Sequence, residues 1–193
     1  MRLYHPTPTD MRGQMVPLPE GDAGIFKSLR QMRKFVTQGR CDPRIIESAR
    51  NIVFMCAAKD TLAEINTLFC FVRDRVRYVS DVLDTETISP AWYTLHVRSG
   101  DCDDKSILLA SLLEAIGIQT RFIVTGYGEE REYAHVHVAA CLPDGAMIEL
   151  DATEPNGMGW SAPDPTVRHI ERLDGDPKGF WEIITTVIFG AFA

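Results

Sequence analysis

The chain has 193 residues, 45% of them hydrophobic and 24% charged, which is ordinary globular composition and enough chain to bury one core. A net charge of −7 and the lack of any long Lys/Arg run argue against nucleic acid or an anionic membrane as a partner. The five cysteines (Cys41, Cys56, Cys70, Cys102 and Cys141) form no CxxC and no regular spacing, which argues against a disulfide framework or a zinc ribbon and suits a reducing, cytoplasmic compartment.

Residues 1–22 are rich in proline and glycine and read as an extended arm rather than a signal peptide; residues 23–193 read as a single domain without internal repeats. From Ala23 to Gln38, Ile25, Phe26, Leu29, Met32 and Val36 recur at helical spacing, and Gly39 ends the pattern. Asp42-Pro43, a cap followed by proline at the first helical position, opens a second helix predicted to run to about Ala58. Asp60 or Thr61 caps a third, ending near Arg75, with Leu62, Ile65, Leu68, Phe69 and Val72 on its buried side. Cys56 and Cys70 fall in apolar helical patterns and are expected in the core. A loop then leads through Pro90 and one short helical turn at 91–97 to Gly100.

Gly100-Asp101-Cys102-Asp103-Asp104-Lys105-Ser106 opens the most apolar helix of the chain. Ile107, Leu108, Leu109, Leu112, Leu113 and Ile116 are too many for one stripe, so this helix is expected to be buried nearly all round, with Gly117 just past its end. A thiol at such an N-terminus meets unpaired N–H groups and the positive end of the helix dipole, which favour the thiolate. Asp101, Asp103 and Asp104 oppose that, and Cys102 is equally readable as a small residue filling space at a helix start. Asp103 and Asp104 also suit the helix N-terminus as capping carboxylates, and Lys105 can pair with either.

Beyond this helix, residues 120–125 (TRFIVT), 134–142 and 146–152 read as strands. Pro143-Asp144-Gly145 signals a hairpin with glycine in the left-handed position. Pairing Leu142 with Ala146 sets His137 opposite Asp151 and His135 one diagonal step away, all three on one face, so Asp151 can orient either imidazole. From Pro155 to about Pro177 the glycine- and proline-rich sequence reads as a loop wrapping the domain. The apolar run 181–193 is too short to span a bilayer and reads as a docked last element or a partner surface, as does the N-terminal arm.

A thiolate nucleophile needs a base that takes and returns its proton, and an anion that fixes the tautomer of that base. Cys102, His135 and Asp151 supply these parts in chain order, and the stretches FVRDRVRYVSD, RSGDCDDKSILLASLLEAIGIQTRFIVTG and AHVHVAACLPDGAMIELDATEP, covering 71–155, resemble the transglutaminase-like superfamily of the papain-like cysteine hydrolase and acyltransferase fold. The resemblance implies an α+β architecture: a helical N-terminal half and a central Cys-bearing helix packed on a small antiparallel sheet. It also implies Cys102 as nucleophile, His135 as the base opening a His-x-aromatic strand, and Asp151 in a Leu-Asp-x-Thr segment. Where the family usually has tryptophan two residues after the histidine, this chain has His137, and the hairpin register alone favours His137 as the base. Oxyanion donors are sought in the Cys102 N–H and in Trp92 or Tyr93, and a charge-balancing role in Asp103 and Asp104.

The reading is a thiol-dependent amide hydrolase or acyltransferase working on a protein or peptide through a thioester, without cofactor, and by resemblance to small bacterial members a cysteine protease. Deamidation and amide crosslinking share every step but the last. A catalytically silent binding or assembly module is the reading from a different class. A third is a metal site on His135, His137 and Cys141 or an aspartate, since His-x-His on a strand puts both rings on one face.

Overall fold

The computed structural model describes residues 19, 21–81, 87–128 and 133–173; the predicted N-terminal arm and the apolar run 181–193 lie outside these, apart from residues 19, 21 and 22. Helices α1 (Asp22–Gly39), α2 (Pro43–Ile52), α3 (Thr61–Arg75) and α4 (Ala91–Val97) surround α5 (Cys102–Ala115). Strands β1 (Arg77–Tyr78) and β2 (Ser99–Gly100) form a short parallel pair. β3 (Thr120–Gly126), β4 (His135–Cys141), β5 (Met147–Leu150) and β6 (Val167–Arg172) form an antiparallel sheet in the order β5-β4-β3-β6, packed on α5 through β3 and β4. This is the α+β arrangement expected from the sequence.

Helix α5 is the axis of the core. Ile107, Leu108, Leu109, Ala110, Leu112 and Leu113 are all 0% exposed, against Leu29, Met32 and Val36 of α1, Ile65, Leu68 and Phe69 of α3, and Phe122 and Val138 of the sheet. Burial of each leucine or isoleucine stabilises the fold by roughly 1.5–3 kcal/mol. The sequence shows why nothing polar intrudes: apart from Ser106 and Ser111, the first polar side chain after Lys105 is Glu114, near the last turn. The hairpin closes as the turn chemistry requires, with Gly145 at φ 87° and Leu142 and Ala146 joined by a 2.8 Å backbone hydrogen bond.

Three expectations are corrected. Helix α2 ends at Ile52, not near Ala58, because the following residues have no polar side to turn outward; Phe54 and Met55 are 80% and 88% exposed in the turn that replaces the helix. Cys56 and Cys70 accordingly sit at the margin of the core, against Thr67 and Asn66 respectively. Within the supposed wrapping loop lies β6, whose VRHIER sequence has too many polar side chains to read as a strand. It is an edge strand: β3 satisfies one side of its backbone, its charges suit the open edge, and Arg33 of α1 pairs with Glu171 at 2.9 Å.

Removing core volume from α5 should be costly. Leu109→Ala is expected to destabilise the protein by about 2–5 kcal/mol in urea unfolding, while Leu62→Ala, at a half-exposed position, should cost well under half of that.

Candidate active site at the start of the central helix

The start of α5 is held on three sides. Asp101 caps it, its Oδ1 accepting from the Asp104 N–H at 3.1 Å. Asp104 reaches back, its Oδ1 accepting from the Ser89 N–H at 2.7 Å, and packs so tightly on Gly100 that a Cβ there would lie 2.5 Å from the Asp104 Cβ. Glycine is the residue that fits. The β1–β2 pair, with Val79 N–H donating to Gly100 O at 3.0 Å, draws the chain after α3 alongside the approach to Cys102. Lys105, 2% exposed, bonds no aspartate among the described residues; its Nζ donates to Val76 O at 2.9 Å, fastening α5 to the end of α3.

Cys102 is the first residue of α5, and its sulfur sits against β4, where the backbone of Val136 donates to it; one turn later Ser106 Oγ donates to Val136 O at 3.2 Å. The thiol also donates to Asp103 Oδ1 at 3.6 Å. Burial pushes this thiol far above its ordinary range, with the charges of Asp103 and Asp101 adding to the effect and the Val136 hydrogen bond opposing it. The helix-dipole stabilisation of a thiolate expected from the sequence is therefore outweighed, and the group rests protonated.

Val136 is flanked by the two histidines. His135 Nε2 bonds Asp151 Oδ2 at 2.8 Å, and Asp151 Oδ1 accepts from Thr153 Oγ1 and N–H at 2.6 and 3.1 Å. Burial works to raise the Asp151 carboxyl, but the bonds from His135 and Thr153 win and hold it at about 2, so it is an anion at neutral pH. His137 Nε2 bonds Glu149 Oε2 at 2.8 Å, and Arg168 Nη2 holds the other oxygen of Glu149 at 2.8 Å. Burial depresses the basicity of His137 against the pull of Glu149. Since a carboxylate only accepts, Nε2 of His137 carries its proton, and its buried Nδ1 is left without a partner among the described residues. The rings of His135 and His137 stack at 5.7 Å.

The register is the expected one, yet the partners are not those directly opposite. Extending the Val138–Leu150 pair puts His137 across from Asp151, but both acids reach diagonally in the same sense, Asp151 to His135 and Glu149 to His137. Strand twist makes one diagonal of an antiparallel pair the shorter, which selects this pairing. Glu149 is a participant that the sequence reading missed. Its signal was the two-residue alternation in MIELD, which puts it on the same face as Asp151.

Trp92 and Tyr93 lie on α4 with their rings edge to face at 5.8 Å, and Arg44 of α2 stacks over Trp92 at 4.5 Å. One ligand atom from each of His135, His137 and Asp151 lies within 4.8 Å of the others, and the hydrogen bonds to Asp151 and Glu149 already satisfy both Nε2 atoms. Cys141 stands apart from that group, lining a cavity of about 200 Å³ with Arg40 and Glu114 near the far end of α5.

Residues 50–165 match the transglutaminase-like superfamily, which is 116 of the 193 positions. The chain belongs to this superfamily. Solved structures show the same fold: calcium-bound LapG of Legionella pneumophila has 14% identity and a TM-score of 0.51 over 83% of this chain and 98% of that one. A candidate protease of Parabacteroides distasonis has 12% identity and a TM-score of 0.52 over 77% of this chain. A candidate cysteine protease of Cytophaga hutchinsonii has 19% identity and a TM-score of 0.47 over 73% of this chain. The chain spans 57% of the Cytophaga protein and 30% of the Parabacteroides protein. A search of curated proteins finds no match. Superfamily membership supports an enzyme of the thiol-dependent hydrolase or transglutaminase-like kind. No helix among the described residues is long and apolar enough to cross a membrane.

Asp104 gives the site a measurable pH signature. Burial raises its carboxyl from 3.8 to about 7, against the Ser89 hydrogen bond, so between these values the folded chain keeps a proton that the unfolded chain has lost. Stability from this group is therefore highest in acid and falls as pH rises towards 7. Asp104→Asn, neutral throughout, should raise the melting temperature relative to wild type at pH 8 and leave it nearly unchanged at pH 4; an equal difference at both pH values would contradict this.

Proposed function

We propose that the protein is a thiol-dependent amide hydrolase or acyltransferase of cysteine-peptidase type, with Cys102 as nucleophile, His135 as general base and acid, and Asp151 as the anion that orients His135. The observation that carries this reading is the His135 Nε2–Asp151 bond of 2.8 Å, with Asp151 clamped by Thr153, on a strand whose next residue, Val136, bonds the Cys102 sulfur. With its proton on Nε2 and pinned to Asp151, His135 has Nδ1 left as the basic nitrogen, and the partly exposed ring is open to a substrate.

Chemistry follows from these parts. His135 Nδ1 takes the thiol proton as the sulfur attacks the carbonyl carbon of an amide. The S–C bond forms, and the electron pair moves to the carbonyl oxygen, which the backbone N–H of Cys102 at the helix start is suited to stabilise. Collapse breaks the C–N bond as the imidazolium returns the proton to the departing amine. Water, or a second amine, then attacks the thioester and releases Cys102. Because the thiol rests protonated, proton transfer to His135 accompanies attack rather than preceding it. The anionic Asp151 stabilises the transient imidazolium. A protein or peptide is the substrate class, and an unpaired reactive thiol suits the cytoplasm.

A second reading, a binding module without turnover, is favoured by one observation: the carboxylates of Asp103 and Asp101 that disfavour the thiolate. Iodoacetamide alkylation followed site by site against pH separates the two. In the catalytic reading Cys102 reacts faster than exposed Cys41, His135→Ala lowers that rate tenfold or more near neutral pH, and His137→Ala has a lesser effect. Equal rates at Cys102 and Cys41 would favour the module, and sensitivity to His137→Ala alone would move the base to His137. Product masses from glutamine-containing peptides distinguish chain cleavage, deamidation (a gain of one mass unit) and amine transfer.

A further inference from the structure

A groove of about 490 Å³ lies between the end of α3, the β1–β2 pair and the turn after Asp151. Two of its lining residues connect it to the proposed machinery. Thr153 lines it and also clamps Asp151. Tyr78 lines it and is close enough to Cys102 and Asp101 that their charges, after burial, help push its hydroxyl above the ordinary range.

The charge of this groove runs against that of the molecule. The chain carries −7 overall, yet five cationic side chains border the groove against the carboxylates of Asp74 and Glu154. Two of the cations have structural employment: Arg73 bonds Asp74 and the Asn156 carbonyl, both at 2.7 Å, and Lys105 is buried on Val76 O. Arg75, Arg77 and Arg98 are exposed and form no ion pair with any described residue. Arg98 is held over the Phe71 ring at 4.7 Å, and the nearby charge of Arg75 adds to burial in depressing its basicity. Guanidinium groups crowded this way gain from a shared anion, and a carboxylate offers each of them a two-pronged partner.

We propose that this groove binds acidic residues flanking the scissile amide of a peptide substrate, their carboxylates paired with Arg75, Arg77 and Arg98. The inference rests on the proposed catalytic reading for the meaning of "scissile", but binding is separable from turnover. A peptide with a few carboxylates needs only this groove, whereas a long polyanion would also meet the acidic remainder of the surface.

The test uses full-length Cys102→Ala protein and two fluorescein-labelled decapeptides with a central glutamine, one flanked by glutamates and the other by glutamines, read by fluorescence anisotropy. The acidic peptide should bind roughly tenfold more tightly at low salt, and the preference should collapse near 0.5 M NaCl, where the screening length falls to about 4 Å. Arg75→Gln with Arg77→Gln should abolish the preference, as should Arg98→Gln made separately in case the double variant is unstable. Arg77→Glu should shift the preference towards a lysine-flanked peptide. Equal binding of the two peptides, or equally tight binding of a single-stranded oligonucleotide of the same charge lost in the same variants, would overturn the proposal. If the acidic peptide binds as described but wild-type protein neither cleaves nor modifies it, the catalytic reading fails and the groove remains.

Discussion

Burial of α5 is the constraint on which the rest of the structure depends. A helix apolar on every side has no solvent face to drift towards, so the four surrounding helices and the sheet fix its rotation and its depth together. Once the helix is fixed its first residue is fixed as well, and the sulfur of Cys102 lies where Val136 passes on β4. Precision at the site is thus inherited from the core rather than built locally. What is built locally are the fasteners: Asp101 on the helix start, Asp104 on Ser89, Lys105 on Val76.

The electrostatics of the site divide between two layers. Around the sulfur, burial and carboxylates keep the thiol protonated; beside His135, Asp151 is clamped by Thr153 and held as an anion. In the proposed chemistry, a thiol that resists ionisation suits proton transfer coupled to attack. The second pair, His137 with Glu149 and Arg168, sits behind the first as a neutral, buried ring stacked on His135.

Much of this was legible in the sequence because the informative residues are governed by local rules. The apolar run from Ile107 to Leu113 announced a central buried helix, and Pro143-Asp144-Gly145 fixed the register that places His135, His137 and Asp151 on one face. The parts that were not legible depend on contacts distant in the chain. Residues 167–172 are a strand only because β3 offers its open edge, and Arg77–Tyr78 only because Ser99–Gly100 runs beside it. The hairpin register left either histidine able to reach Asp151, while the family resemblance pointed to His135; that Asp151 bonds His135 rests on the strand twist, which sequence alternation does not encode. Lys105 read as a partner for the neighbouring aspartates, but burial turned it to the Val76 carbonyl.

The central claim is that sulfur, imidazole and carboxylate meet at the start of α5. The most direct test is a crystal structure of the protein after reaction with a chloromethyl ketone analogue of a peptide. The account predicts a covalent bond to Cys102 Sγ, with His135 Nδ1 within hydrogen-bonding distance of that sulfur and Nε2 still held by Asp151. An adduct on another cysteine, or a Cys102 adduct approached by His137 with His135 turned away, would contradict it.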